Sequence, residues 1–175
     1  MRATRRMLPV AGADDTIFPM TKGIATTKND ISIGVVPLEN IKEMDAFGVL
    51  IVNESSHLIS FKKEDFILIQ SGEVRYPVSD TQVYAHLGSG YKPAMPTELS
   101  ADVFQWRRSV NMRKSHGLET MSDNRLSVMG GAREKLFLFF KASDSIAPVQ
   151  FITIIYNEAT KQRTRFSFKF IIEKK

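Results

Sequence analysis

The sequence predicts a mostly β protein, an antiparallel β-sandwich of about seven strands that carries a helical insertion. Two observations predict this class. Apolar runs of strand length, separated by polar turn formers, occur both before residue 79 and after residue 117. Between these positions the apolar residues recur with the period of a helix instead. Phenylalanine occurs 12 times and clusters in the predicted strands, as the core of a sandwich requires.

The clearest strands lie within Phe47–Gln70. Phe47–Val52 is apolar on both faces, so this strand is expected to be central and covered on both sides. Asn53–Ser56 predicts a chain reversal, because short polar side chains bond to the nearby backbone. The chain then returns through His57–Phe61, and after a charged break Phe66–Ile69 forms a third strand.

Three further strands are expected towards the C-terminus. Charged residues bracket the apolar core of Lys135–Lys141, which predicts another central strand. Val149–Tyr156 reads as a buried strand, and Asn157–Thr160 as the hairpin turn that follows it. Thr164–Ile172 alternates, with three phenylalanines on one face and polar residues on the other.

The N-terminal residues 1–30 are predicted to form an irregular arm, because prolines and glycines interrupt any regular period. The first strand is expected over Ile31–Val36, where Pro37 ends it. Residues 31–175 are then a single sandwich domain, with the helical insertion at about 79–117. A short edge strand is expected over Val74–Val78.

Two helices are predicted in the insertion. Ser79 or Asp80 is a suitable N-cap for a short helix through Leu87, which the following glycines end. Thr97 is a suitable N-cap for the second helix. Its apolar face repeats at spacings of 4, 3 and 4 residues, through Leu99, Val103, Trp106 and Val110.

The second helix also carries the candidate anion-binding residues, which are Trp106, Arg107, Arg108, Arg113 and Lys114. An aromatic ring among cationic groups binds phosphate, anionic lipid or nucleic acid by charge and stacking. The alternative is structural. Trp106 falls on the apolar face and belongs to the core in that case, while the arginines form a solvated face paired with Asp102 or Glu98.

The sequence predicts no catalytic, metal-binding or cofactor-binding residue. The absence of cysteine excludes disulfides, thiolate zinc sites and cysteine nucleophiles. The three histidines, His57, His86 and His116, lie far apart without partners at ligand spacing. Ser55, Ser56, His57 and Asp65 include the residue types of a nucleophile triad, but residues of one hairpin seldom converge as a triad requires. We therefore predict a protein that is not an enzyme.

Charge and targeting signals bear on the partner and the location. The formal net charge is +5 and the pI about 9.5, which favours contact with anionic partners. No apolar run approaches the roughly 20 residues of a membrane-spanning helix. The charged start resembles the front of a targeting peptide without its apolar region, so either the leader is absent from this chain or the protein is cytosolic.

A family resemblance extends from Ile31 to Tyr76 and, more loosely, over the strands after Glu134. The residues that carry it are Val49, Ile51, Asn53, Ser55, Ile59, Phe61, Asp65, Phe66, Leu68, Gly72 and Tyr76. This pattern resembles the immunoglobulin-like accessory domains of unknown function found in bacterial lipoproteins and other exported proteins. The resemblance implies an immunoglobulin-like sandwich and an extracytoplasmic location, and it carries over no catalytic residue.

Two functions of different classes follow. The first is a non-enzymatic exported or cell-envelope accessory domain that acts through contact with a protein or envelope partner. The alternative is a basic-surface module that binds nucleic acid or anionic lipid through the helical insertion. The alternative requires Arg107, Arg108, Arg113 and Lys114 to share one exposed face.

Overall fold

The computed structural model describes residues 5–18, 23–39, 41–88, 119–120 and 125–174. These residues form one α-helix, a single 3-10 turn at Lys63–Asp65 and thirteen strands. In chain order the elements are β1 (Arg5–Val10), β2 (Thr16–Phe18), β3 (Gly23–Lys28), β4 (Ile31–Leu38), β5 (Met44–Asn53), β6 (Ile59–Phe61), β7 (Ile67–Gln70), β8 (Glu73–Arg75), α1 (Asp80–Leu87), β9 (Glu119–Thr120), β10 (Leu126–Val128), β11 (Arg133–Lys141), β12 (Val149–Asn157) and β13 (Arg163–Lys174).

The strands form two antiparallel sheets that share one apolar core. Sheet A has the order β1-β13-β12-β6-β10-β9, with β7 also paired to β12 and β8 paired to β7. Sheet B has the order β11-β5-β4-β3-β2. Phe47 of sheet B lies against Phe151 and Phe170 of sheet A, with ring centroids 5.1 and 5.7 Å apart. The prediction of a mostly β fold with two packed sheets is confirmed.

Strand β5 is the central strand that the sequence predicts. It pairs with β4 on one side and β11 on the other, and every residue from Asp45 to Asn53 is buried. Phe47, Val49 and Ile51 face the shared core, whereas Ala46 packs in a second apolar cluster on the outer face of sheet B. Both faces are therefore covered.

Strand β11 differs from its prediction. It is an edge strand, since in the described part of the chain it pairs only with β5. Leu136, Leu138 and Phe140 face the core, while Phe139 packs against Val83 of α1. Apolar residues on both faces of a strand therefore indicate that other parts of the protein pack above and below it. They do not indicate that the strand has a paired strand on each side.

The N-terminal segment also differs from its prediction. Its described residues are not an irregular arm, because β1 pairs with β13 and β2 and β3 extend sheet B. Pro9 is compatible with β1 because that strand lies at the edge of sheet A. Asn29 and Asp30 both have positive φ, 50° and 60°, which suits the two-residue turn joining β3 to β4.

The polar turn Asn53–Ser56 reverses the chain, but it does not form a hairpin. It leads from β5 in sheet B to β6 in sheet A, so it is a corner between the sheets. Asn53 is fully buried, and its amide donates to the carbonyls of His57 at 2.7 Å and Val128 at 3.0 Å. These bonds hold the corner closed.

Helix α1 confirms the first helix predicted for the insertion. Ser79 is its N-cap and accepts a hydrogen bond from the backbone N–H of Gln82, and Gly88 follows its C-terminus with a φ of 101°. Val83 is the buried residue of this helix and packs on Ala46 and Phe139. The predicted second helix lies outside the described residues.

Candidate functional site

A row of side chains crosses the outer face of sheet A. Antiparallel pairing places Ser127 opposite Ser60, Ser60 opposite Tyr156, and Tyr156 opposite Arg163. The neighbours of Ser60 and Tyr156 along their strands, Ile59, Phe61 and Ile155, all face the core. Because side chains alternate along a strand, the row itself points away from the core.

The row forms the floor of a cleft of about 320 Å³, which we call the sheet A cleft. Lys62 and Asp65 flank it on the segment after β6, and Arg125 flanks it just before β10. Its lining residues are Ser60, Lys62, Asp65, Arg125, Ile154, Tyr156 and Arg163. Three of these side chains are cationic and one is a carboxylate.

Arg125 is held in position by three neighbours. Its guanidinium lies over the ring of Tyr156, with the central carbon 4.6 Å from the ring centroid. It donates a hydrogen bond to the Ser60 hydroxyl, which in turn donates to Glu158. It also forms an ion pair with Glu158 at 3.2 Å. These contacts orient the cation before any ligand is present.

Glu158 is the counter-ion of this cluster. Besides Arg125 it lies 3.9 Å from the ammonium of Lys161, which is itself 5.7 Å from the Tyr156 ring centroid. The cluster around the cleft thus has four cations, Lys62, Arg125, Lys161 and Arg163, against the carboxylates of Glu158 and Asp65. Among the described side chains of this cluster, cations therefore outnumber carboxylates by two.

Arg163 differs from Arg125 in having its guanidinium uncommitted. Among the described residues it makes no side-chain hydrogen bond or ion pair, and it is exposed at the start of β13. Asp65, in contrast, accepts a hydrogen bond from the backbone N–H of Lys62 at 3.1 Å. Arg163 is therefore a cation of the cleft that has no side-chain partner within the described part of the chain.

The cleft continues into a mixed apolar and basic surface. Arg165 and Lys169 lie further along β13 on the same exposed side as Arg163. Ile154, which is 40% exposed, pairs with Arg165, and Val74 at the far edge of sheet A is 45% exposed. We call this surface the outer face of sheet A.

The structure does not test the anion-binding residues predicted from the sequence. Trp106, Arg107, Arg108, Arg113 and Lys114 all lie outside the described residues. Whether they share one exposed face therefore stays a prediction.

Each of the two described histidine rings contacts a segment that is distant in sequence. The His57 ring is 3.3 Å from the amide of Asn157, and His86 is 2.9 Å from the carbonyl of Lys42. Ser55 bonds Asn53 at 2.6 Å, and Asp65 is occupied by its own turn. The Ser55 hydroxyl also contacts the backbone of His57, but the His57 ring pairs with Asn157 and the Asp65 carboxylate with the Lys62 N–H, so these contacts do not form a triad.

Neither a metal-ligand cluster nor a membrane-spanning helix occurs among the described residues. No group of three or more histidine, cysteine or acidic side chains is placed to hold a metal ion there. In the same residues, no helix has the length and apolar character needed to cross a bilayer.

Comparison with known proteins identifies no relative: no family model, no curated protein and no solved structure matches this chain. The geometry of the chain's own residues is thus the basis for any functional proposal.

The residues of the sheet A cleft were missed at the level of sequence. They come from four separate stretches, and only the strand register brings Ser60, Tyr156 and Arg163 together. One signal was present in the sequence. Arg163, Arg165 and Lys169 alternate with the phenylalanines of β13, which places them on the face away from the core.

Proposed function

We propose that this protein is a non-enzymatic accessory domain with an immunoglobulin-like sandwich, and that it binds a partner protein through the outer face of sheet A. The observation that carries the proposal is the combination of exposed isoleucine and valine with exposed arginine and lysine on one sheet face. Ile154, Val74, Arg165 and Lys169 are its main residues.

The immunoglobulin-like part of the proposal draws support from strand length. Among the described strands, seven have six residues or more, namely β1, β3, β4, β5, β11, β12 and β13. The others have two to four residues. We take the seven long strands as the sandwich framework and the short ones as additions to its edges and corners.

The protein partner is supported by the composition of the face. The outer face of a solvated sheet carries polar residues, yet β12 has isoleucine at the outward positions 152 and 154, of which Ile152 is already buried and Ile154 is exposed. Protein interfaces bury such apolar side chains at their centre and use arginine at their margins. The cations of β13 favour a partner with an acidic surface.

We also propose an exported or cell-envelope location, because the sequence resembles accessory domains of bacterial lipoproteins and other exported proteins. Cell fractionation tests this point separately, because a protein found wholly in the cytosol would contradict the location and leave the binding surface intact.

A site-specific cross-link tests the binding surface. A photo-reactive phenylalanine analogue at position 154 is compared with the same analogue at Ala85, which is exposed on α1 on the opposite side of the sandwich. We expect a discrete adduct in the native cells from position 154 alone. The double variant Arg165→Glu/Lys169→Glu should abolish it, with folding checked by circular dichroism. Equal adducts at both positions, or none, would refute the proposed surface.

A second candidate is a polyanion-binding module, in which β13 presents Arg163, Arg165 and Lys169 along one exposed edge of the face. Retention on a heparin column across a salt gradient distinguishes it. Nucleic-acid or anionic-lipid binding predicts strong retention that falls steeply in Arg163→Gln/Arg165→Gln/Lys169→Gln, since each lost phosphate contact reduces the salt dependence. Weak retention leaves the protein partner as the function.

A further inference from the structure

We propose that the sheet A cleft is a binding site for a small molecule that bears a phosphate group. The cleft adjoins the protein-binding surface proposed above and shares Ile154 with it, but the proposal of a phosphate site does not depend on that surface. Its argument rests on the charge, the preorganisation and the size of the cleft.

The charge of the cleft matches a dianion. Lys62, Arg125 and Arg163 line it, and Asp65 is the one carboxylate among its lining residues. Phosphate carries up to two negative charges near neutral pH and offers several acceptor oxygens, so it uses more than one cation. The uncommitted guanidinium of Arg163 supplies the paired N–H donors that phosphate geometry suits.

The cleft is also preorganised. Contacts with the Tyr156 ring and the Ser60 hydroxyl orient the guanidinium of Arg125, so less side-chain freedom is lost when an anion binds. Arg163 lies on the other side of Tyr156, on the neighbouring strand. Both arginines line the same cleft, in which the guanidinium of Arg125 covers the Tyr156 ring.

Glu158 occupies the position of a competing anion. Its carboxylate binds Arg125 and Ser60, and it lies in the turn between β12 and β13. A phosphate that binds Arg125 competes with this carboxylate for the same donors. Glu158 should therefore weaken binding, and its neutralisation should strengthen it.

The size of the cleft limits the ligand. A volume of about 320 Å³ is at the small end of ligand pockets. It has room for a phosphate and a modest organic group, for which Ile154 supplies an apolar wall. Free phosphate and a phosphate monoester share the chemistry that the cations recognise, so the experiment must distinguish them.

Isothermal titration calorimetry with inorganic phosphate and with phenyl phosphate provides the test, in chloride buffer at low ionic strength. We expect both probes to bind, and phenyl phosphate to bind more tightly if the apolar wall takes part. Binding of inorganic phosphate alone assigns the site to the free ion. The absence of binding by either probe would overturn the proposal.

Three variants locate the binding. Arg163→Gln should weaken it about tenfold, because a charge-assisted hydrogen bond is lost. Lys169→Gln removes the same charge about 20 Å further along β13 and should leave the affinity within about twofold. Glu158→Gln should tighten binding. Equal losses in the Arg163 and Lys169 variants, or weaker binding in Glu158→Gln, would refute the site; circular dichroism verifies the fold of each.

Discussion

Arg75 donates a 2.6 Å hydrogen bond to Asp45, and this ion pair joins the two sheets of the sandwich. Arg75 lies at the end of β8 in sheet A, whereas Asp45 lies on the central strand β5 of sheet B. Arg5, from β1 of sheet A, binds the same carboxylate at 2.8 Å. The Asp45 side chain is only 7% exposed. One buried carboxylate thus pairs with two guanidinium groups, Arg5 and Arg75, from two strands of the opposite sheet.

Asp45→Asn should destabilise the protein by about 3 kcal/mol, since it leaves two largely buried guanidinium groups without their counter-charge. Urea denaturation followed by circular dichroism measures the change in the free energy of unfolding. Lys63→Gln is the control, because its partner Asp80 is 72% exposed and such surface pairs contribute about 1 kcal/mol or less. Equal losses of unfolding free energy in the two variants would contradict a larger contribution from the buried ion pair.

Gly130→Ala should destabilise the protein by about 2 kcal/mol through steric overlap. A Cβ at this position would lie 2.7 Å from the carbonyl carbon of Ser56, and that neighbour is backbone of the Asn53–Ser56 corner. Gly12→Ala is the matched control, since the atom it meets is the end of the Asp15 side chain at 3.0 Å. Thermal unfolding of the two variants compares them, and a Gly130→Ala protein as stable as Gly12→Ala would contradict the close approach.

Asn53→Ala should destabilise by about 3 kcal/mol, because two carbonyls that its amide now satisfies would be left in a buried site. Ser55→Ala should have a smaller effect, since the Asn53 amide bonds remain. Hydrogen exchange should also rise in residues 53–58.

The burial of Asn53 has a chemical consequence. Asn53 begins an Asn-Glu-Ser glycosylation sequence, but its amide nitrogen is fully engaged, so we expect no glycan on the folded protein.

Ser79→Ala should destabilise by about 1 kcal/mol, because the N-cap of α1 loses its acceptor. Thr81→Ala, at an exposed position of the same helix, is the control and should have little effect. Because α1 covers part of sheet B, fluorescence of an apolar dye reports whether the helix detaches. Increased dye binding in Ser79→Ala alone is the expected result.

The strands could be predicted where side-chain alternation decides the face. The phenylalanines at 166, 168 and 170 face the core as the sequence indicates, and Ser79 and Gly88 bound α1 as its capping pattern indicates. Prediction failed where the deciding contact is distant in sequence. The local pattern of residues 5–10 does not predict a strand, since Pro9 interrupts it. The segment forms β1 because it pairs with β13, which lies far away in the sequence.

The cleft illustrates the same limit. Tyr156 and Arg163 are hairpin neighbours, so their pairing follows from a correctly placed turn. Ser60 and Arg125 join them only through β6 and β10, whose places in sheet A depend on tertiary packing. The local pattern determines which face of the sheet a side chain points to. Its neighbours on that face depend on the order of the strands in the sheet.

The pairing of β1 with β13 brings Arg5 opposite Lys174. Opposed residues of antiparallel strands lie about 5 Å apart, so the two ends of the described fold leave from one point on the rim of sheet A. A sandwich of this kind can be inserted into a loop of a host protein without separating the ends of that loop. It can equally be circularly permuted, with a short linker that joins β1 to β13 and new ends at the turn of Asn29 and Asp30.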